Sequence, residues 1–183
     1  MEEKRLFDIL KLYIAKYPSQ EVALAKKESG SWKKYSIQKY IEITNNISYA
    51  LIKLGIKKDD KVGIICNNRP EWNMLDMAIM QVGAVTVPIY PTISKEDYHY
   101  IINDCEVKLI VLEGQSVLQK IESVKDESPS LTGIYTIGTK SDYPTFDQLV
   151  EIGKSNPDPE ELKKREDNVD EKDCATIIYT SGT

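Results

Sequence analysis

Hydrophobic residues recur along this chain at two spacings, one typical of helices and the other of strands. Residues 3–17 carry apolar side chains at intervals of three and four, which predicts an amphipathic helix. Residues 21–26 and 32–35 are short strand-forming runs on either side of a Ser-Gly-Ser turn, which predicts a hairpin. Ser36 is then placed to cap a long helix that stops at Gly55.

From residue 61 onward, nearly continuous apolar runs alternate with amphipathic segments. The predicted strands are 61–66, 84–89, 107–112 and 134–137, and the predicted helices are 70–82, 94–104 and 116–125. Ser94 and Asp97 have the spacing of a capping box at the start of the second of these helices. Apolar strands in such an alternation are typical of a parallel sheet covered on both faces. We therefore predict an α/β fold with a parallel-rich sheet and helices on both of its faces.

Composition narrows the class of protein. The net charge of -5 argues against a nucleic-acid surface, which needs a basic face. No apolar run approaches the roughly 20 residues of a membrane span, and the mixed charges of residues 1–5 are unlike a secretory signal peptide. Cys66, Cys105 and Cys174 are odd in number and widely spaced, so we expect small buried hydrophobic residues rather than disulfides or metal ligands. A reducing cytoplasm is the expected location.

The last part of the chain carries the candidate chemistry. Residues 153–173 are highly charged and predict a surface connection with at most one short helix near 160–165. A β-branched run at 174–178 predicts one more strand, and Tyr179-Thr180-Ser181-Gly182-Thr183 follows it.

The residue types at 179–183 are suited to binding an anion. The hydroxyls of Thr180, Ser181 and Thr183 and the backbone amides can point at phosphate oxygens, and Gly182 leaves room for their approach. The same residue types also form ordinary turns. Neither GxxxxGK[ST] nor GxGxxG occurs in the sequence, so the usual P-loop and dinucleotide fingerprints give no support.

Four segments resemble the adenylate-forming superfamily, which includes acyl-CoA synthetases, firefly luciferase and peptide-synthetase adenylation domains. Residues 179–183 are similar to the opening of the family's YTSGTTGxPKG loop, and residues 173–178 to the strand before it. VGIICNNRPEW at 62–72 and GAVTVPIYPT at 83–92 resemble the long-chain fatty acid branch in particular. The likeness runs in order over almost the whole chain.

The resemblance implies an assignment for the chain. Residues 1–183 would be the first portion of the large AMP-binding domain, cut inside the phosphate loop, with the carboxyl-terminal domain absent. Thr180, Ser181, Gly182 and Thr183 would hold the β- and γ-phosphates of ATP, with no catalytic residue or metal ligand within the fragment. The family's phosphate-loop lysine, adenine and ribose contacts and carboxyl-terminal lysine have no counterpart here.

The resemblance also implies substrates and partners for the full-length protein. ATP with Mg²⁺ would activate a long-chain fatty acid as an acyl-adenylate, and CoA would take the acyl group. Peripheral membrane association and homodimer formation are compatible with the resemblance. We expect the fragment itself to fold, to be inactive and to bind ATP without useful affinity.

Other conspicuous residues have plainer interpretations. Arg69 and Glu71 flank a proline at a predicted helix start, where a carboxylate suits the positive end of the helix dipole. His99 is the only histidine, and we expect it on a helix surface or half-buried rather than acting as a general base. Trp32 and Trp72 are interpreted as packing residues.

Two alternatives stay open at the level of sequence. The first is an enzyme of the same superfamily that acts on a short-chain, aryl or amino acid, since the acyl pocket lies beyond these residues. The second is a non-catalytic α/β module that binds a nucleotide or a partner.

Overall fold

The structure, a computed structural model, describes residues 5–180. After a short 3₁₀ turn at Leu6–Asp8, the elements are α1 (Ile9–Lys16), β1 (Leu24–Glu28), β2 (Ser31–Tyr35), α2 (Ile37–Lys53), β3 (Lys61–Ile65), α3 (Pro70–Gln81), β4 (Val85–Pro88), α4 (Lys95–Asp104), β5 (Val107–Glu113), α5 (Gln115–Glu122), β6 (Gly133–Ile137), α6 (Phe146–Ser155) and α7 (Pro159–Asp167). The predicted hairpin, the four alternating strands and the helices between them are confirmed, with shifts of one to three residues at their ends.

Local signals in the sequence account for where the helices begin and end. The Ser36 hydroxyl accepts a hydrogen bond from the Lys39 amide at the start of α2, as predicted. Ser94 and Asp97 form the predicted capping box of α4, with each side chain accepting from the other residue's backbone N–H. Gly83 follows α3 with φ of +79°, a conformation that favours glycine.

The main sheet is parallel throughout its four strands. Its order is β4-β3-β5-β6, and each neighbouring pair runs in the same direction. The carboxyl ends of all four strands therefore meet at one edge. β1 and β2 form a separate antiparallel hairpin.

Helices cover both faces of this sheet, as predicted. One hydrophobic core includes Val62 and Ile64 of β3 together with buried residues of α2, α3 and α6. The other includes Ile65 of β3 together with buried residues of α4 and α5. Alternate residues of β3 thus serve opposite cores, which is how a strand buried on both faces must work.

Helix α6 was not predicted, and it packs closely on α2. Thr145 and Gln148 form a capping box at its start. Its Gly153 is buried against the α2 backbone at Asn46, where any larger side chain would overlap the Asn46 carbonyl oxygen. The predicted short helix in the charged connection is confirmed as α7, which is anchored by buried Leu162.

Two interpretations of individual residues are wrong. Trp32 does not pack in the core: it is 62% exposed, because β1 and β2 form a two-stranded sheet that has solvent on most of its surface. Cys174 is exposed rather than buried, while Cys66 and Cys105 are buried as expected. Trp72 packs against the first core, in agreement with its interpretation. Of the helices described, none is long and apolar enough to cross a membrane.

Candidate functional site

The segment after α7 joins the sheet beside β4. The Thr86 amide donates to the Ala175 carbonyl at 3.1 Å, and the Ile177 amide donates to the Thr86 carbonyl at 3.0 Å. The Thr176 hydroxyl donates to that same carbonyl at 3.0 Å. These bonds make a single parallel bridge rather than the regular strand that the sequence predicts. Because the segment runs parallel to β4, it carries Thr180 toward the carboxyl edge of the sheet.

Side chains of this segment alternate between a covered and an open side. Ile177 and Tyr179 pack against the core that contains α4 and α5. Ile178 points the other way and is 61% exposed. Thr180 is exposed at the end of the described chain. The other predicted phosphate contacts, at 181–183, lie outside the described residues.

Thr180 borders a cavity of about 620 Å³. The cavity is lined by Tyr90, Ile93, Asp97, Tyr100, Ile101, Tyr179 and Thr180. It lies between the β4–α4 loop, the outer face of α4 and residues 174–180, which we call the tail. Three tyrosine side chains, the Thr180 hydroxyl and the Asp97 carboxylate face this cavity, which suits a ligand that has both an apolar and a polar part.

The loop on the far side of this cavity is held by α4 and α5. The Tyr98 hydroxyl donates to the Tyr90 carbonyl at 3.0 Å, and the Lys120 ammonium donates to the Ile93 carbonyl at 2.7 Å. Tyr98 is fully buried, so its hydroxyl is fixed by packing. The wall of the cavity is therefore built on helices and does not depend on the loop alone.

A second crevice at the same edge is closed by charged side chains. β3 and β5 are neighbours whose following helices lie on opposite faces, and ligands of open α/β sheets commonly bind at such a point. Here the Arg69 guanidinium forms an ion pair with Glu113 across the gap. The Asn67 amide also donates to the Glu113 carboxylate, at 3.1 Å. Ion pairing thus occupies this crevice, whereas the cavity that Thr180 borders lies beside β4.

Glu71 sits behind this ion pair and is structural, as the sequence suggested. Its carboxylate accepts hydrogen bonds from Arg69 at 2.9 Å and from Lys26 at 2.7 Å. Burial acts to raise the pKa of Glu71, but these two bonds outweigh it and lower the pKa to about 2. The prediction of a first-turn carboxylate is confirmed, and its partner Lys26 on the hairpin is an addition that only the fold reveals.

His99 and Cys66 do not line the cavity. His99 lies on the surface of α4, with Nε2 3.4 Å from Glu127, which agrees with its plain interpretation. Burial raises the pKa of the Cys66 thiol to about 12, which keeps it neutral. Within residues 5–180, no three His, Cys, Asp or Glu side chains are grouped so as to hold a metal ion.

The sequence predicts a site at Thr180, which borders the cavity, but most of the other lining residues were not among its candidates. Tyr100 and Asp104 are four residues apart on α4 and so share a face, which the helical spacing of the sequence could have shown. That this face meets Tyr179, 75 residues further along the chain, follows only from the fold.

Comparison with known proteins identifies relatives of the whole segment. The family model for AMP-binding enzymes matches residues 11–183. The long-chain-fatty-acid–CoA ligase ACSBG2 of Xenopus laevis is 37% identical over 88% of this chain and 22% of its own length. The long-chain-fatty-acid–CoA ligase FadD15 of Mycobacterium bovis is 39% identical over 78% of this chain and 24% of its own length. The chain thus spans about a quarter of the length of these curated relatives.

Solved structures have the same architecture. A long-chain-fatty-acid–CoA ligase (FadD1) from Archaeoglobus fulgidus matches 99% of this chain and 35% of its own, with a TM-score of 0.76 and 21% identity. The luciferase-like enzyme of the mealworm Zophobas morio matches 99% of this chain and 40% of its own, with a TM-score of 0.78 and 19% identity. The fold expected from the sequence resemblance is therefore correct. With a family match over residues 11–183 and this shared fold, the chain belongs to the AMP-binding enzyme family.

Proposed function

We propose that this chain is the amino-terminal part of an AMP-forming long-chain fatty acid–CoA ligase. The observation that carries the proposal is the parallel docking of residues 175–177 on β4, which delivers Thr180 to the carboxyl edge of the sheet beside the cavity. The relatives named as long-chain-fatty-acid–CoA ligases support the choice of acid. The domain assigned to residues 1–183 is the first portion of the adenylating domain.

The proposed reaction has two steps. A fatty acid carboxylate oxygen attacks the α-phosphorus of ATP, the bond to the bridging oxygen breaks, and pyrophosphate leaves with the electron pair. The thiolate of CoA then attacks the acyl carbon, and the acyl–oxygen bond breaks to release AMP. The thiol proton passes to solvent or a base, and the product is a thioester.

The tail serves the first of these steps. Negative charge grows on the departing pyrophosphate, and hydrogen-bond donors already aimed at its oxygens stabilise that charge. We assign this role to Thr180, together with Ser181, Gly182 and Thr183, as contacts of the β- and γ-phosphates. An Mg²⁺ ion bound to the same phosphates would neutralise further charge.

The proposal places the full-length protein in the cytoplasm, an assignment supported by the free thiols of Cys66, Cys105 and Cys174. Size-exclusion chromatography tests whether the full-length protein forms a homodimer. Flotation with lipid vesicles tests whether it binds membranes peripherally. Both properties are compatible with the proposed activity.

The test is acid-dependent exchange of pyrophosphate with ATP, catalysed by the full-length protein. The panel contains acetate, medium and long fatty acids, aryl acids and amino acids. The aryl acids are included because an anthranilate CoA ligase in complex with anthranoyl-AMP resembles this chain, with a TM-score of 0.68 and 25% identity over 79% of this chain and 26% of its own. We expect exchange with long fatty acids. Exchange with another acid alone would replace the substrate, and no exchange at all would favour a non-catalytic binding module.

A further inference from the structure

Tyr179 connects the tail to helix α4. Its hydroxyl donates a hydrogen bond of 2.5 Å to the Asp104 carboxylate. Its ring meets the ring of Tyr100 edge-on, with 6.1 Å between the centroids and 90° between the planes. Asp104 and Tyr100 are one helical turn apart, so a single face of α4 receives the whole side chain.

This contact is the last anchor before Thr180 among the described residues. The other bonds of the tail reach β4 through Thr86 and involve residues 175–177. Ile178 is exposed and contributes little to holding the chain. The direction in which Thr180 leaves the sheet is therefore set by where Tyr179 is held.

The position of Asp104 in its helix is unfavourable unless the tail is present. Asp104 is the last residue of α4, at the negative end of the helix dipole, and no basic residue lies in that last turn. A carboxylate at a helix carboxyl terminus lowers the stability of that helix, so the stability of α4 does not explain why an aspartate occupies position 104. A residue that breaks a local rule in this way points to a contact made elsewhere in the fold.

The environment keeps the Tyr179 hydroxyl in its donating form. Burial, followed by the hydrogen bonds to Asp104 and to the thiol of Cys105, raises the pKa of this phenol above its usual range. A phenol that stays protonated can donate to the carboxylate at any pH at which the enzyme would work. Hydrogen bonds to charged acceptors are about twice as strong as those between neutral groups.

We propose that Asp104 and Tyr179 form a positioning pair that holds the phosphate-binding tail on α4 in the orientation needed for adenylation. The inference rests on the function proposed above and adds two residues to it. Neither residue is placed in contact with the reacting atoms. Asp104 acts through Tyr179, and Tyr179 acts through the backbone of Thr180.

The test is a double-mutant cycle in the full-length protein. Tyr179→Phe removes the hydroxyl and keeps the ring contact with Tyr100. Asp104→Leu removes the acceptor at similar size, and Asp104→Asn keeps an acceptor oxygen. Tyr17→Phe is the matched control, because it removes the same hydroxyl from an exposed tyrosine at the end of α1, far from the tail in the sequence. The readouts are the KM for ATP in exchange with pyrophosphate and the rate of thioester formation from preformed acyl-adenylate.

We expect Tyr179→Phe and Asp104→Leu each to raise the KM for ATP about tenfold, and the double variant to raise it no further. Asp104→Asn should remain within about threefold of wild type, and Tyr17→Phe should equal wild type. Thioester formation from acyl-adenylate should be unchanged in all variants, which a general loss of folded protein could not produce.

Three results would overturn the pair. In the first, the effects of the two single variants on the KM for ATP multiply in the double variant. In the second, both half-reactions slow equally. In the third, both single variants keep the KM for ATP of the wild type. Any of these leaves the proposed function intact, since wild-type exchange is measured in the same assay. Absence of exchange in the wild type with every acid would instead remove the proposed function, and this role with it.

Discussion

Helices α2 and α6 approach each other closely at Gly153, and adding one methyl group there should destabilise the protein. Gly153 lies near the end of α6 and is buried against α2. A Cβ atom at this position would overlap the Asn46 carbonyl oxygen and lie 2.6 Å from the Asn46 carbonyl carbon. It would also lie 3.0 Å from the Ala50 amide nitrogen. Alanine can fit only if α2 and α6 move apart.

The size of the effect follows from these distances. Carbon atoms in contact stay about 3.5–4 Å apart, so the helices would have to separate by about 1 Å or more. Overpacking a core typically costs about 1–3 kcal/mol, and here the obstacle is helix backbone that cannot rotate away. Alanine also favours the helix over glycine by up to about 1 kcal/mol. The net expectation for Gly153→Ala is a loss of about 2 kcal/mol in the free energy of unfolding.

Urea unfolding of the 183-residue chain, followed by circular dichroism, measures this loss. With a slope of about 2 kcal/mol per molar urea, the midpoint should fall by about 1 M at constant slope. Glu151→Ala is the matched control on the same helix, since Glu151 is exposed and its ion pair within residues 5–180 is with exposed Lys154 at 3.3 Å. It should change stability by less than about 0.5 kcal/mol. An unchanged or raised midpoint for Gly153→Ala would show that the two helices do not meet backbone to backbone.

Three further outcomes are expected. The pKa of Glu71 is lowered from 4.5 to about 2, so the ionised carboxylate contributes about 3 kcal/mol to the free energy of unfolding above pH 4.5, and this contribution disappears as the pH falls toward 2. The urea midpoints of wild type and Glu71→Gln should therefore converge over that pH range. Parallel curves would contradict the ion pairs of Glu71 with Arg69 and Lys26. In the full-length protein, Thr180→Ala or Thr183→Ala should slow pyrophosphate exchange about 100-fold and leave thioester formation from acyl-adenylate unchanged, whereas equal slowing of both steps would remove the phosphate role. The 183-residue chain alone should show no calorimetric ATP binding, and a micromolar dissociation constant would refute that expectation.

The sequence predicts well those parts of the fold that depend on interactions between residues close together in the chain. The cap at Ser36, the capping box of Ser94 with Asp97 and the glycine after α3 each act within a few residues. The strands of the parallel sheet are also evident, because strands buried on both faces are nearly continuous in apolar residues.

The errors arise where tertiary contacts override local pattern. Helix α6 carries a Thr145 and Gln148 capping box that the sequence displays, but Gly153 near its end reads as a helix breaker. The glycine is present because of α2, which no local pattern indicates. Trp32 shows the reverse case, in which a large apolar side chain suggests burial while a two-stranded hairpin offers it no second layer.

At the candidate site, too, local sequence predicts one property, the chemistry of the residues, and does not predict another, their location in the fold. The residue types at 179–183 predict the chemistry of the tail, since hydroxyls and a glycine after a β-branched run are suited to phosphate. Its location depends on Thr86 and Asp104, which meet the tail from 75 to 91 positions earlier in the sequence. The bonds to Thr86 set how far along β4 the tail is docked, and the proposed pair of Asp104 with Tyr179 holds the tail on α4. The five residues 179–183 thus predict phosphate contacts, but the direction in which Thr180 leaves the sheet depends on β4 and α4, which lie 75 to 91 positions earlier in the sequence.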